Sequence, residues 1–138
     1  MSQEFKKIAY ENLNARQKES YNFQKFSAVL ADYGYIAIKL SDDWNGADFI
    51  AQGLSGETLK VQLKGRLSFY KKYQDKDLWI CFREGNEWYF YPHDELLKRI
   101  LAETSIGKTE SWLNHGGYSF PGLSQQTKTM LEPYRFVE

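Results

Sequence analysis

The segment from Ala47 to Lys64 constrains the fold of this chain more than any other. Residues 47–52 (ADFIAQ) and 58–64 (TLKVQLK) both have the composition of β-strands, and residues 53–56 (GLSG) supply a turn between them. Every second residue of the later strand is apolar, which gives that strand one apolar and one polar face. We therefore predict an antiparallel hairpin that carries Lys60, Gln62 and Lys64 on its polar face.

Regular patterns on both sides of this hairpin predict the other elements. Residues 12–33 carry apolar side chains at helical spacing, and Gly34 can end that helix in the left-handed conformation. Further strands are predicted at residues 35–40, 78–82 and 88–91, further helices at 93–102 and 124–131, and a turn-rich loop at 41–46. Since no linker precedes residue 104, we predict a core over residues 1–103 and a C-terminal extension of the same domain over 104–138.

The composition excludes several classes of protein. The 138 residues suffice for one domain, and the 18 basic and 18 acidic residues balance, which excludes a histone-like polycation. Cys81 is the single cysteine, so an intrachain disulfide and a cysteine-based zinc site are excluded. The apolar runs are too short to span a bilayer and the N-terminus lacks an apolar signal core. We therefore expect a soluble, cytoplasmic protein without membrane partners.

The hairpin is expected to bring a carboxylate, an amide and an ammonium group together. Asp48 lies near the start of its first strand, and Gln62 and Lys64 lie near the end of the returning strand. Mg²⁺ prefers oxygen ligands, which Asp48, Gln62 and the backbone carbonyl of Leu63 could supply. Lys64 could then position a metal-bound water or neutralise charge on a phosphate.

Glu19 and Gln24, on the first predicted helix, are candidates to complete this site. A simpler interpretation stays open for each part of it. The polar face of the strand that carries Gln62 and Lys64 could merely be solvated, and Glu19 could be an ordinary surface residue of its helix.

Charge is separated along the chain beside this candidate site. Residues 41–59 contain four acids and no base, whereas residues 60–73 contain five bases and no acid. Aromatic residues interleave with these bases, as they do in surfaces that bind nucleic acid. The predicted DNA-binding residues are Arg66, Lys71, Lys72 and Tyr73, although such a run can also be only a soluble loop.

The order of these elements resembles that of the PD-(D/E)XK nuclease superfamily. A helix and a strand precede a strand with Asp48, and a further strand carries Gln62 and Lys64 in a QxK variant of the family motif. The resemblance is carried by residues 46–50 (GADFI) and 61–64 (VQLK), and it extends over roughly residues 12–102. It implies a restriction-endonuclease-like α/β fold, in which helices flank a mixed central sheet of about five strands.

The resemblance also implies roles for individual residues. Asp48 and Gln62 would bind the metal, Lys64 would be the family lysine, and Glu19 would be the additional acid that the family often places on its first helix. Gln62 departs from the commoner Glu or Asp, which removes one negative charge and should weaken metal binding. Residues 65–77 are too short and too polar for the helix that many members have after the lysine strand.

The predicted function is that of a metal-dependent DNA endonuclease or resolvase-like phosphodiesterase, which would use Mg²⁺ or Mn²⁺ on duplex or branched DNA. A homodimer is expected, because two copies of so small a chain reach both strands most easily. Two alternatives remain at this point. The chain could be a nucleic-acid-binding module of the same fold that has lost cleavage, or a non-enzymatic protein-interaction domain.

Overall fold

The first long element is helix α1 (Ala15–Ala31) of a computed structural model that describes residues 3–137. The Asn14 side chain accepts the N–H of Gln17 at 2.8 Å, and the Gln17 side chain accepts the N–H of Asn14 at 2.9 Å. This capping box explains why the helix begins three residues after the predicted start. Gly34 follows the helix with a φ of +82°, in the left-handed conformation that the sequence predicted.

Eight strands and three further α-helices follow within the described residues. They are β1 (Tyr35–Trp44), β2 (Ala47–Gly53), β3 (Thr58–Leu63), β4 (Ser68–Tyr70), β5 (Leu78–Glu84), β6 (Glu87–Pro92), α2 (His93–Glu103), α3 (Glu110–His115), β7 (Gly117–Ser119), α4 (Gln125–Leu131) and β8 (Arg135–Val137).

The central sheet is mixed and has six strands in the order β1-β2-β3-β5-β6-β8. Strands β3 and β5 run parallel, and the other neighbours run antiparallel. The predicted α/β fold class is therefore confirmed, with six strands in place of about five because β8 joins the edge beside β6. Between β3 and β5 the chain forms β4 and a short 3-10 turn, Lys71–Tyr73, and no α-helix.

Strand β1 is longer than the sequence predicted. It continues to Trp44 through most of the expected loop at 41–46, and Trp44 pairs with Ala47 of β2. The two residues between them, Asn45 and Gly46, have φ values of +52° and +89°. Two consecutive residues with positive φ form the tight turn that favours Asn-Gly and joins antiparallel strands directly.

The sheet separates two layers of buried side chains. On one face, Phe26 and Leu30 of α1 pack with Phe49 and Val61 of the hairpin. On the other face, α2 packs against β5 and β6, and the segment after residue 103 completes the cluster with Ile106, Trp112, Met130 and Leu131. Within residues 3–137 no helix is both long and apolar enough to cross a membrane.

The segment after residue 103 is connected to the sheets by two short strands. Strand β7 pairs with β4 in a small second sheet, and β8 pairs with β6. Helix α4 corresponds to the helix predicted at 124–131, whereas α3, β7 and β8 were not predicted.

Phe136 on β8 tests how much this segment stabilises the core. Its ring centroid lies 4.7 Å from that of Tyr33 and 5.8 Å from that of Phe90. We expect Phe136→Ala to lower the free energy of unfolding by about 2 kcal/mol, somewhat less than a fully buried Phe would. Val137→Ala, at an exposed neighbour, should change it by less than about 0.5 kcal/mol. Equal urea midpoints for wild type and Phe136→Ala would contradict the expectation.

Candidate active site

Strands β2 and β3 separate at the end of the hairpin where the sequence predicts the candidate site. Their pairing runs from Gln52–Thr58 to Phe49–Val61. Beyond that pair, the N–H of Leu63 donates to Oδ2 of Asp48 at 2.9 Å, so a side chain replaces a strand-to-strand bond. The N–H and C=O groups of one strand residue point to the same side, so the Leu63 carbonyl also faces this opening.

The Asp48 carboxyl has charged neighbours of both signs. Burial raises its pKa above the ordinary value, and the hydrogen bond from Leu63 partly opposes that shift. The negative charge of Glu19 raises the pKa further, whereas the positive charge of Lys64 lowers it. The net shift is upward because burial is its largest cause, and a bound cation would stabilise the ionised carboxylate.

Two cavities show which predicted residues the fold brings together. A cavity of about 220 Å³ is lined by Glu19, Asp48 and further charged residues of β1. A second one of about 340 Å³ is lined by Glu19, Leu63 and Lys64. Glu19 lines both cavities, so the two cavities share one opening. Around this opening lie the carboxylates of Glu19 and Asp48, the carbonyl of Leu63, and Lys64. Gln24 is exposed and lines neither cavity.

Gln62 is placed differently from the residues around the opening. Its neighbour Val61 packs with α1, so the Gln62 side chain points to the opposite face of the sheet, and it lines neither of these two cavities. Its Oε1 is buried and has no hydrogen-bond partner among the described residues. A buried acceptor without a partner is unusual in native structures and indicates a place for a donor or a cation from outside the chain.

The available donors fit a hard divalent cation of modest affinity. Asp48 and Glu19 offer carboxylates and Leu63 a carbonyl, all of the type that Mg²⁺ and Mn²⁺ prefer. The amide oxygen of Gln62 could join them only if its side chain turns from its buried position. No group of three or more His, Cys, Asp and Glu side chains within residues 3–137 is arranged to hold a metal. The set therefore has less negative charge than a three-acid site and leaves several coordination positions to water.

Lys64 lies against two aromatic rings. Its Nζ is 4.7 Å from the ring centroid of Tyr70 and 5.4 Å from that of Tyr73, which are cation–π distances. Tyr73 is only 4% exposed and packs in the core. The prediction that Tyr73 contacts DNA is therefore corrected, because its ring supports Lys64 from inside the protein and offers no surface for a base.

The other predicted DNA-binding residues, Arg66, Lys71 and Lys72, are exposed. They lie on a loop whose backbone is held in place. The N–H of Tyr70 donates to Nε2 of His93 at 3.1 Å, and that of Lys71 donates to the carbonyl of Gly116 at 2.8 Å. Burial lowers the pKa of His93, which favours the neutral imidazole that this acceptor role requires.

A polar stripe on α1 beside the opening was missed by the sequence analysis. It consists of Lys18, Tyr21, Asn22 and Lys25, which share one face by their i, i+3, i+4, i+7 spacing. Within the stripe, Nδ2 of Asn22 donates to the hydroxyl of Tyr10 at 2.9 Å. The helical spacing of two lysines with a tyrosine and an asparagine was the sequence signal that could have identified this stripe.

Comparisons with known proteins give little beyond this geometry. No family model matches the chain, and no curated protein matches it. Among solved structures, the chain is similar to Archaeoglobus fulgidus Hjc, a Holliday junction resolvase from an archaeal hyperthermophile. The identity is 12% and the TM-score 0.42, and the match covers 53% of this chain and 76% of that one.

The unpartnered Oε1 of Gln62 leads to a stability prediction. Gln62→Met keeps the length of the side chain and removes the buried acceptor. We expect it to raise the melting temperature in EDTA by about 3 °C or more, because an unsatisfied buried acceptor costs about 1 kcal/mol or more. Thermal unfolding followed by circular dichroism measures this. A lower melting temperature for Gln62→Met would show that a bound water satisfies Oε1.

Proposed function

We propose that this protein is a metal-dependent DNA endonuclease or a resolvase-like phosphodiesterase. The observation that carries the proposal is the opening between β2 and β3, where the Asp48 carboxylate is held by Leu63 and has Glu19 and Lys64 as charged neighbours. The resemblance of the strand pattern to the PD-(D/E)XK motif supports the same assignment. Cleavage of labelled duplex, single-stranded and branched DNA with Mg²⁺, with Mn²⁺ and with EDTA is the direct test.

Mg²⁺ or Mn²⁺ would be held by Asp48, Glu19 and the Leu63 carbonyl, with Gln62 as the neutral donor. When bound, such an ion lowers the pKa of a coordinated water and stabilises charge on a phosphate. The hydrogen bond from Leu63 fixes one oxygen of Asp48 and leaves the carboxylate oriented toward the opening. Gln62 takes part only if its side chain turns from its buried position, which its lack of a partner favours.

We assign to Lys64 the stabilisation of the transition state of DNA cleavage. The two tyrosine rings beside its Nζ hold the ammonium group without neutralising it, since neither ring is a counter-ion. A fixed positive charge beside the reacting phosphate stabilises the negative charge that develops there, and it needs little reorganisation to do so. Exposed Arg66, Lys71 and Lys72 would bind the flanking DNA phosphates in a salt-dependent manner.

A homodimer would let two such sites reach both strands of a duplex. A second candidate function is DNA binding without cleavage. The observation that favours it is the lack of a three-acid metal site in the described part of the chain, because Gln62 stands where a third acid would add charge. Metal binding and DNA cleavage separate the two candidates.

Asp48→Asn tests the metal site while keeping an oxygen that can accept the Leu63 N–H. We expect wild type to bind Mn²⁺ in calorimetry, and to melt at a higher temperature with it. Asp48→Asn should lose both effects, because the charged ligand is gone. Asp32→Asn is the matched control, since this exposed acid lies about 20 Å along the helix axis from Glu19. Unchanged Mn²⁺ binding in Asp48→Asn would place the metal elsewhere.

Lys64→Ala tests the assignment of the ammonium group to the transition state. We expect the rate of cleavage to fall by about a hundredfold or more, whereas DNA affinity should change by less than about threefold, since one phosphate contact among many adds little to binding. Lys60→Ala on the neighbouring strand β3 is the control, because the Nζ of Lys60 lies instead over the ring of Trp44. Equal single-turnover rates for Lys64→Ala and wild type would remove Lys64 from the mechanism.

A further inference from the structure

A groove runs from the candidate active site along α1. Its first part is the cavity of about 340 Å³ that Glu19 and Leu63 line, and its second part is a cavity of about 440 Å³ that reaches Tyr21 and Arg83. Tyr10 and Lys64 line both parts, so the two are continuous. Each volume lies in the range of about 300–1,000 Å³ that is usual for small-molecule sites.

Aromatic rings form one wall of the second cavity. The ring centroids of Tyr10 and Tyr21 are 5.2 Å apart at an angle of 54°. Asn22 donates to the Tyr10 hydroxyl oxygen at 2.9 Å, so the proton of that hydroxyl remains to be donated to a ligand. The wall thus combines flat apolar surface with an amide and a hydroxyl group, the groups that stack on a nucleobase and bond its edge.

The second cavity favours an anionic ligand, whereas Glu19 places one acid in the first part of the groove. None of the described residues that line the second cavity is acidic, whereas Lys64 and Arg83 are basic. Lys18 adds a further cation in the first part, with its Nζ 5.3 Å from the ring centroid of Tyr10. Lys25 lies in the same way over Tyr21, at 5.4 Å. A ligand that is flat, aromatic and negatively charged satisfies both the rings and the cations, and a nucleotide has these properties.

We propose that this groove binds an unpaired nucleotide of a DNA strand, and that the phosphate next to this nucleotide lies at Asp48. The base stacks on Tyr21 beside Tyr10, and the phosphates lie near Lys18 and Lys64. This inference rests on the proposed function and narrows its substrate to DNA that contains an unpaired nucleotide, because a base within a regular duplex is stacked on its neighbours and cannot enter the groove.

The test compares two linear DNA duplexes with blunt ends in EDTA by fluorescence anisotropy. One duplex is fully paired, and the other carries a single unpaired 2-aminopurine nucleotide whose fluorescence falls when it stacks. We expect wild type to bind the second duplex about tenfold more tightly and to quench its 2-aminopurine. Tyr21→Leu should weaken that binding by about fivefold or more and abolish the quenching, because the stacking surface is lost. Its affinity for the paired duplex should stay within about twofold, because duplex binding makes no use of the stacking surface.

Three further variants control the comparison. Tyr21→Phe retains the ring and should bind like wild type. Tyr33→Leu removes an exposed tyrosine outside the groove and should also bind like wild type. Asn22→Leu removes the amide that holds Tyr10 and should weaken binding of the unpaired nucleotide, which decides the matter if Tyr21→Leu fails to fold.

Equal wild-type affinity for the two duplexes, or full affinity and quenching in Tyr21→Leu, would overturn the proposal. Because binding is measured in EDTA, this outcome does not depend on whether the protein cleaves DNA. A protein that prefers the unpaired nucleotide but cleaves nothing with Mn²⁺ would retain the groove and lose the nuclease assignment. A protein that cleaves DNA without this preference would lose only the groove.

Discussion

The hydrogen bond from Leu63 to Asp48 is the interaction on which the site depends. Where β2 and β3 part, the sheet leaves a backbone N–H without a strand partner, and a buried unpaired N–H is costly. The Asp48 carboxylate satisfies that donor at 2.9 Å. The two strands can therefore separate without leaving this donor unpaired, and the opening that results brings Glu19 on α1 and Lys64, just after β3, near the same carboxylate.

The same arrangement has an electrostatic cost that a cation would relieve. Asp48 is removed from water and lies near a second acid, so its pKa is raised even though Leu63 and Lys64 oppose the shift. The unpartnered Oε1 of Gln62 adds an unsatisfied acceptor nearby in the sequence. Groups that are unfavourable in the isolated protein and favourable beside a bound ion are typical of functional sites, where stability is given up for chemistry.

Periodicity and turn residues predicted most of the central sheet and α1, because long alternating or helical patterns reflect which face is buried. Short elements such as β8 carry too little pattern, and their position depends on pairing with distant strands. The loop predicted before Ala47 proved to be strand, since the Asn45-Gly46 turn outweighed the low strand propensity of the acids before it. The burial of Tyr73 could not be predicted either, because composition does not distinguish a surface ring from a core ring.

Strand β4 pairs with β7, which lies about fifty residues later in the chain, through the register of Ser68 with Ser119. The loop that carries Lys71 is held by the carbonyl of Gly116 in the same region. During synthesis, the exposed basic residues Arg66, Lys71 and Lys72 therefore emerge from the ribosome long before β7, the strand that supports their loop. A nascent chain can form the β1–β3 hairpins early, but its cationic surface acquires its shape only when β7 has been translated.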